Sequence, residues 1–194
     1  MGRRRGAELD TAIRTAVLQL LGEHGPDGVT MEAVAVAAQT SKPVLYRRWP
    51  DRKAILRDTL IGVASSSIPT RETGSFRGDM LAVLRGWAAL FTGDGGPLMK
   101  SVIMAVAVDP ELEHTFRTDV IDMRKTEMNA IFARGVERGE VRDDIPIEIA
   151  RELCQSVLWH RLLITGDPIT DDLVIQLVDE ILIPLTQAPT TAGS

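Results

Sequence analysis

Apolar residues recur along the chain at spacings of three and four, and no long segment alternates apolar with polar residues. Spacings of three and four place apolar side chains on one face of an α-helix, whereas a half-buried strand alternates with a period of two. Breaker and capping residues divide this pattern into about nine segments. The pattern therefore predicts an all-α fold of about nine helices.

The N-terminal part of the chain contains three predicted helices with short connections. The first covers about residues 7–24 and ends at the breaker sequence Gly25-Pro26-Asp27-Gly28. Thr30 caps a helix of about eight residues, and after a tight turn Ser41 caps another, which ends at Pro50. A short helix, a tight turn and a second short helix form the plan of a helix-turn-helix.

The rest of the chain is predicted to be helical on both sides of one long loop. Asp51 caps a helix at about 51–64, and the stretch 65–75 has the Ser, Pro and Gly content of a loop between two domains. Asp109 and Thr170 mark the starts of two later helices. The helices predicted after the loop cover about 76–91, 98–107, 110–138, 146–165 and 170–184.

Charge is unevenly distributed along the chain, whose net charge is −5. Residues 1–60 hold ten Lys and Arg against seven Asp and Glu, or +3, while the remainder holds 12 against 20, or −8. A basic head on an acidic body indicates that only the head meets phosphate. An ordinary uneven surface is the alternative interpretation.

Membrane and secreted classes find no support in the sequence. The longest apolar run, residues 102–108, has seven residues, whereas a membrane helix needs roughly 18. The basic start, Arg3 to Arg5, has no apolar stretch behind it, unlike a secretory signal. The single cysteine, Cys154, permits no intramolecular disulfide. We therefore expect a soluble cytoplasmic protein.

The second short helix of the predicted helix-turn-helix carries side chains that suit DNA. Lys42, Arg47 and Arg48 are cationic, and phosphates and base edges are met by groups of this kind. The stretch from Thr30 to Lys53, TMEAVAVAAQTSKPVLYRRWPDRK, resembles the TetR family of transcription regulators. The resemblance covers helices 1 to 4, and a weaker one at residues 135–144 matches the end of that family's long helix.

The resemblance implies a DNA-binding helix-turn-helix domain of three helices at residues 1–56 and a larger helical domain for effector binding and dimerisation at 57–194. The fourth helix would connect the two domains. The matching positions imply DNA contacts by Thr30, Ser41, Lys42, Pro43, Val44, Tyr46, Arg47, Arg48, Arg52 and Lys53. Among these DNA contacts, the resemblance implies contacts with bases for Lys42, Pro43, Val44 and Arg47. Arg52 stands where the family usually has a lysine, and Lys53 lies beside it.

The sequence departs from the family pattern around the turn. Gln39 stands where the family usually has glycine and Thr40 where it usually has valine, so we expect some strain and a thinner core contact. Trp49 replaces a usual phenylalanine, and we expect it in the core rather than stacked on a base. Arg3 to Arg5 resemble the minor-groove arms of other helix-turn-helix proteins, with a solvated tail as the alternative.

The apolar stripes of helices 8 and 9 are wider than one domain edge needs, which favours a second, intersubunit contact. We therefore expect a two-fold homodimer through these helices, with an interface that includes Leu153, Val157, Leu158, Val174, Val178 and Ile181. The resemblance also implies a small effector enclosed by helices 5 to 7. Candidate contacts, each with plain core as its alternative, are Trp87, Phe91, Met99, Met104, Phe116 and Met123.

We therefore expect a regulator, by family resemblance a repressor, that a small hydrophobic effector releases from a near-palindromic operator. A helical enzyme is one alternative, because Glu111-x-x-His114 has the spacing of di-iron bundles, but the second motif that such sites need is missing. No phosphate loop, dinucleotide fingerprint or metal-ligand spacing is present, so no cofactor or metal is expected. A protein-interaction adaptor without DNA binding is the other alternative.

Overall fold

The computed structural model describes residues 6–67, 72–93 and 95–187, and Arg3 to Arg5, a predicted minor-groove arm, lie outside these ranges. Regular structure within the described ranges is helical throughout, which confirms the all-α prediction. Nine helices cover these residues, and α7, α8 and α9 each include a π-helical segment. Their bounds are α1 Ala7–Gly28, α2 Met31–Ala37, α3 Lys42–Tyr46, α4 Arg52–Ser67, α5 Phe76–Phe91, α6 Gly95–Val108, α7 Pro110–Thr115 with Phe116–Ile121 and Asp122–Glu137, α8 Ile147–His160 with Arg161–Thr165, and α9 Asp171–Gln176 with Leu177–Leu182 and Ile183–Thr186.

The chain divides into two compact units. We call residues 1–64 and 97–121 the head unit, and residues 65–96 and 122–194 the body unit. The head unit holds the first three helices, α4 to residue 64, α6 from residue 97, and the start of α7. The division into domains at residues 56 and 57 stays a prediction.

Side-chain caps fix where several helices begin. A cap oxygen accepts a hydrogen bond from a backbone N–H of the first turn at Thr30, Asp51, Ser75, Asp109 and Thr170. Such bonds satisfy N–H groups that have no partner inside the helix. Four of these caps were predicted, and Ser75 was not. The predicted cap at Ser41 is wrong in detail, because its backbone is extended but its hydroxyl makes no cap bond.

The end of α1 lies where the breaker sequence predicts it. Gly25 has a φ of +68°, outside the helical region, so the regular helix stops there and one further turn reaches Gly28. A residue with a Cβ rarely adopts this backbone conformation, which explains the use of glycine. At the other end of the chain, α9 continues past Pro184 by two residues to Thr186.

The core of the head unit joins the first four helices. Ile13 and Val17 of α1, Leu45 of α3 and Ile55 of α4 are fully buried. Trp49 is also buried, which confirms its predicted place in the core. Burial of these apolar side chains holds the short α2 and α3, which are too short to be stable alone.

The body unit is built on α5. The rings of Phe76 and Phe132 meet edge to face, with centroids 5.0 Å apart. Arg77 pairs with Asp179 at 2.6 Å and Arg85 with Asp171 at 2.6 Å, so α5 and α9 run antiparallel. Within the described ranges, no helix has the length and apolar character needed to span a membrane.

Candidate nucleic-acid interface

A tight turn sets the position of α3 against α2. The N–H of Thr40 donates to the carbonyl of Ala35 at 2.9 Å and closes the end of α2. Gln39 has a φ of +52°, the one positive value at a non-glycine residue in the described part of the chain. The left-handed region costs a non-glycine residue about 1–2 kcal/mol, so the predicted strain at this position is confirmed.

One face of α3 is exposed and the other packs into the head unit. Ser41, Lys42, Pro43 and Arg47 are exposed, and Tyr46 keeps 51% of its surface. The expectation that Val44 faces bases is wrong, because Val44 is only 7% exposed and packs into the core with its neighbour in sequence. The exposed face therefore carries two cations and a phenol, which suits contact with phosphates and base edges.

The three cations of α3 and its C-terminal side have different partners. Lys42 Nζ lies 2.8 Å from Glu32 Oε2, and this hydrogen bond raises the pKa of Lys42 and lowers the pKa of Glu32. Arg48 Nε lies 2.9 Å from Asp10 Oδ1, which ties it to α1. Arg47 makes no side-chain hydrogen bond or ion pair with any residue that the structure describes, so its guanidinium is available to a partner.

The cations at the start of α4 are engaged inside the head unit. Arg52 Nη2 donates to the carbonyl of Pro26 at 2.5 Å, which ties α4 to the end of α1. Lys53 Nζ lies 2.5 Å from Glu111 Oε1, and this hydrogen bond raises the pKa of the lysine. Glu111 is thus an ion-pair partner, and the described residues contain no cluster of three metal-ligating side chains. Thr30 is exposed, and its oxygen caps α2.

The six candidate effector residues divide between the two units. Trp87, Phe91 and Met123 belong to the body unit, and Met99, Met104 and Phe116 belong to the head unit. The expectation that Met104 lines an enclosed site is wrong, because its side chain is 64% exposed. Met99 is buried, and Phe116 is half-buried.

An aromatic cluster occupies the body unit. The rings of Trp87 and Phe91 lie 5.2 Å apart, and Trp159 of α8 lies 4.4 Å from Phe91 and 5.7 Å from Trp87. No role was predicted for Trp159 from the sequence, because the prediction for α8 rested on its apolar stripe alone. Its position between two stripe residues on that helix was the available signal.

The predicted dimer residues also divide into two groups. Leu158, Val174 and Val178 are fully buried within one chain, so their assignment to the interface is wrong: they form part of the body core. Leu153 and Val157 are half-buried, and Ile181 is exposed. Exposed apolar residues that the interface prediction left out are Ile149, Leu163 and Ile164, the last of which is 74% exposed.

Comparison with known proteins relates this chain to a protein family. Residues 13–59 match the family described as bacterial regulatory proteins, tetR family, and residues 70–181 match the tetracyclin repressor-like C-terminal domain. The HTH-type transcriptional regulator YdeS of Bacillus subtilis is 32% identical over 177 residues, which cover 91% of this chain and 89% of YdeS.

Two further relatives agree. The DNA-binding transcriptional repressor TetR of Mycobacteroides abscessus is 29% identical over 182 residues, which cover 93% of this chain and 95% of that protein. The crystal structure of the TetR family transcription regulator SCO0332 superposes with a TM-score of 0.69 at 28% identity, covering 90% of this chain and 97% of that one. The enzyme and the adaptor are thereby set aside, and the chain belongs to the TetR family of DNA-binding transcription regulators.

Proposed function

We propose that the chain is a repressor that occupies a near-palindromic operator as a homodimer and leaves it when a small hydrophobic effector binds. The observation that carries the proposal is the exposed face of α3, where Arg47 has no partner in the described part of the chain and Tyr46 is half exposed. An unpaired guanidinium at the surface suits bidentate contact with a guanine or a phosphate. The predicted contacts of Ser41, Lys42 and Pro43 lie on this same face.

Exposed apolar residues of α8 and α9 support the homodimer. Ile149 and Ile164 of α8 and Ile181 of α9 are large and exposed in a single chain. Exposed apolar side chains on neighbouring helices favour a subunit contact, and a two-fold axis would present two α3 helices about 34 Å apart to the two halves of a palindrome. Operator DNA as the target also supports the predicted cytoplasmic location.

The aromatic cluster Trp87, Phe91 and Trp159 supports a hydrophobic effector. Large flat side chains suit an apolar ligand, and the half-buried Trp159 gives the cluster an edge open to solvent. An effector shifts the regulator away from DNA only if it binds the non-binding conformation more tightly. We assign the connecting role in this shift to α4, whose Lys53 and Arg57 pair with Glu111 and Asp119 of α7 inside the head unit.

In vitro transcription from the promoter that flanks its own gene tests the direction of regulation. The purified chain should lower transcript yield, and a rise in yield would overturn repression in favour of activation. Fluorescence tests the effector: compounds that restore transcription should change the emission of Trp87 and Trp159 in a Trp49→Phe variant. Restored transcription with unchanged emission would remove the aromatic cluster from the effector site.

Sedimentation tests the dimer. We expect a dimer at micromolar concentration, and Ile164→Asp should dissociate it because a charge in an apolar interface is costly to bury. Met104→Asp is the matched control, since it changes an exposed apolar residue of the head unit. A wild-type monomer at this concentration contradicts the proposal.

A further inference from the structure

A carboxylate and an ammonium group lie side by side on the exposed surface of the helix-turn-helix. Glu32 belongs to the first turn of α2 and Lys42 to the first turn of α3. The carboxylate and the ammonium are 2.8 Å apart, and the side chains remain 74% and 47% exposed. This pair is more exposed than the pair of Arg48 and Asp10, which lies just beyond the C-terminal end of α3.

This ion pair contributes little to the free energy of unfolding. Ion pairs between exposed side chains contribute little, because water already solvates both charges. On a surface that meets DNA, a carboxylate also repels phosphate and so weakens binding. The N-terminal residues of a recognition helix are those that reach base edges, and Lys42 is the first residue of α3. A carboxylate bound to that lysine therefore lies within the region where bases are read.

The geometry of the pair complements one base pair. In the major groove a G·C pair presents the guanine O6 acceptor beside the cytosine N4 donor, and the hydrogen bond between them is about 2.9 Å long. A lysine ammonium donates to guanine O6 and N7, and a glutamate accepts from cytosine N4. The spacing of Nζ and Oε2 in this chain matches the spacing of those two base atoms.

An A·T pair fits less well. Its adenine N6 donor and thymine O4 acceptor have the same spacing, but thymine gives the ammonium one acceptor where guanine gives two. The thymine methyl group also lies beside O4, and it offers the ammonium an apolar surface where guanine offers the N7 acceptor.

We propose that Glu32 and Lys42 act as one unit that reads a single G·C base pair in each half of the operator. The inference rests on the proposed operator binding. Glu32 thereby sets specificity at the expense of affinity for DNA of arbitrary sequence. The unit needs no rearrangement on binding, because the two side chains already lie together in the free protein.

Selection of duplexes from a randomised library tests the unit. Wild-type protein should enrich G·C at one position of each half-site. Glu32→Ala and Lys42→Ala should each lose that preference, by about 5- to 150-fold and at the same position, while other positions are unchanged. Glu23→Ala is the matched control, because it removes an exposed carboxylate of α1 and should leave every base preference as in the wild type.

The possible results separate the unit from the proposed function. If Glu32→Ala tightens binding to all duplexes equally and keeps every base preference, Glu32 only repels phosphate and the unit is refuted. If both variants act at one position but that position is A·T, the G·C assignment is wrong. If wild-type protein enriches no sequence at all, operator binding itself fails. Equal melting midpoints of the variants confirm that the fold is intact.

Discussion

Arginine side chains are engaged differently in the body unit and at the C-terminal end of α3 in the head unit. In the body unit, Arg77 and Arg85 of α5 each make two hydrogen bonds to an aspartate of α9. Arg47, which directly follows α3, has no such partner among the described residues. These two arginines fix one helix of the body unit against another, whereas the guanidinium of Arg47 stays available to an external partner. Net charge alone hides this difference, because paired arginines contribute little to binding phosphate.

Removal of the unpaired arginine should have the largest effect. Arg47→Ala removes base or phosphate contacts from both subunits of a dimer, so we expect affinity for the operator to fall by about 2–6 kcal/mol. Fluorescence anisotropy with the selected duplex measures this loss. Arg77→Ala is the matched control, and similar losses in both variants would remove the distinction between the two regions.

Removing the buried charge of Asp79 from the body unit should have the next largest effect. Asp79 is fully buried and accepts hydrogen bonds from the N–H and hydroxyl of Thr73 at 2.6 and 2.8 Å, while Arg134 lies 3.5 Å away. Asp79→Asn removes a fully buried negative charge that faces the half-buried Arg134, and it places an amide where the N–H and hydroxyl of Thr73 need an acceptor. Breaking this arrangement should cost about 3 kcal/mol of unfolding free energy. Urea unfolding measures it. Asp179→Asn changes the exposed pair with Arg77 and should lower the free energy of unfolding far less. Equal losses in the two variants would contradict a stabilising role for the buried Asp79.

Acidification should lower the stability of the fold by protonating the same carboxylate, Asp79. Burial raises the pKa of Asp79, but hydrogen bonds from Thr73 and the charge of Arg134 together bring it below the usual value. The folded chain then binds this proton less tightly than the unfolded chain. The resulting stability is present above a pH of about 4, the unfolded pKa, and is lost as the pH falls through the lower folded pKa. The gap in stability between wild type and Asp79→Asn should narrow on acidification, and a constant gap would contradict the assignment.

Relief of the strained turn should have the smallest effect. Gln39→Gly removes the cost of the left-handed backbone but adds entropy to the unfolded chain, so we expect a net stabilisation of about 0.5–1 kcal/mol. Gln19→Gly is the matched control: the same change in the regular part of α1 should destabilise by about 1 kcal/mol. Thermal unfolding compares them, and destabilisation by both changes would show that Gln39 is not strained.

The sequence predicted local features well. The span of α5, residues 76–91, and the cap at Asp109 agree with the structure because capping depends on residues within one helical turn. Strain at Gln39 was expected because the family pattern has glycine at that position, and its φ of +52° agrees with this expectation. These features need only neighbouring residues.

Long-range partners were not predictable in the same way. Apolar spacing showed that α8 and α9 bury wide stripes, but it did not show that Leu158 and Val174 are buried within one chain. Nor did it reveal that Arg48 pairs with Asp10 or that Glu32 holds Lys42. Each such contact depends on how separate helices pack, and several partners were equally compatible with the sequence.

Methylation interference on the operator tests the central claim most directly, namely that α3 reads DNA in the major groove. The N7 of guanine lies in the major groove, whereas the N3 of adenine lies in the minor groove. We expect methylation of guanine N7 to block wild-type binding in two patches, one in each half-site, with centres about 10 base pairs or a multiple of that distance apart. Binding that tolerates guanine N7 methylation, or that responds only to methylation of adenine N3, would contradict the account.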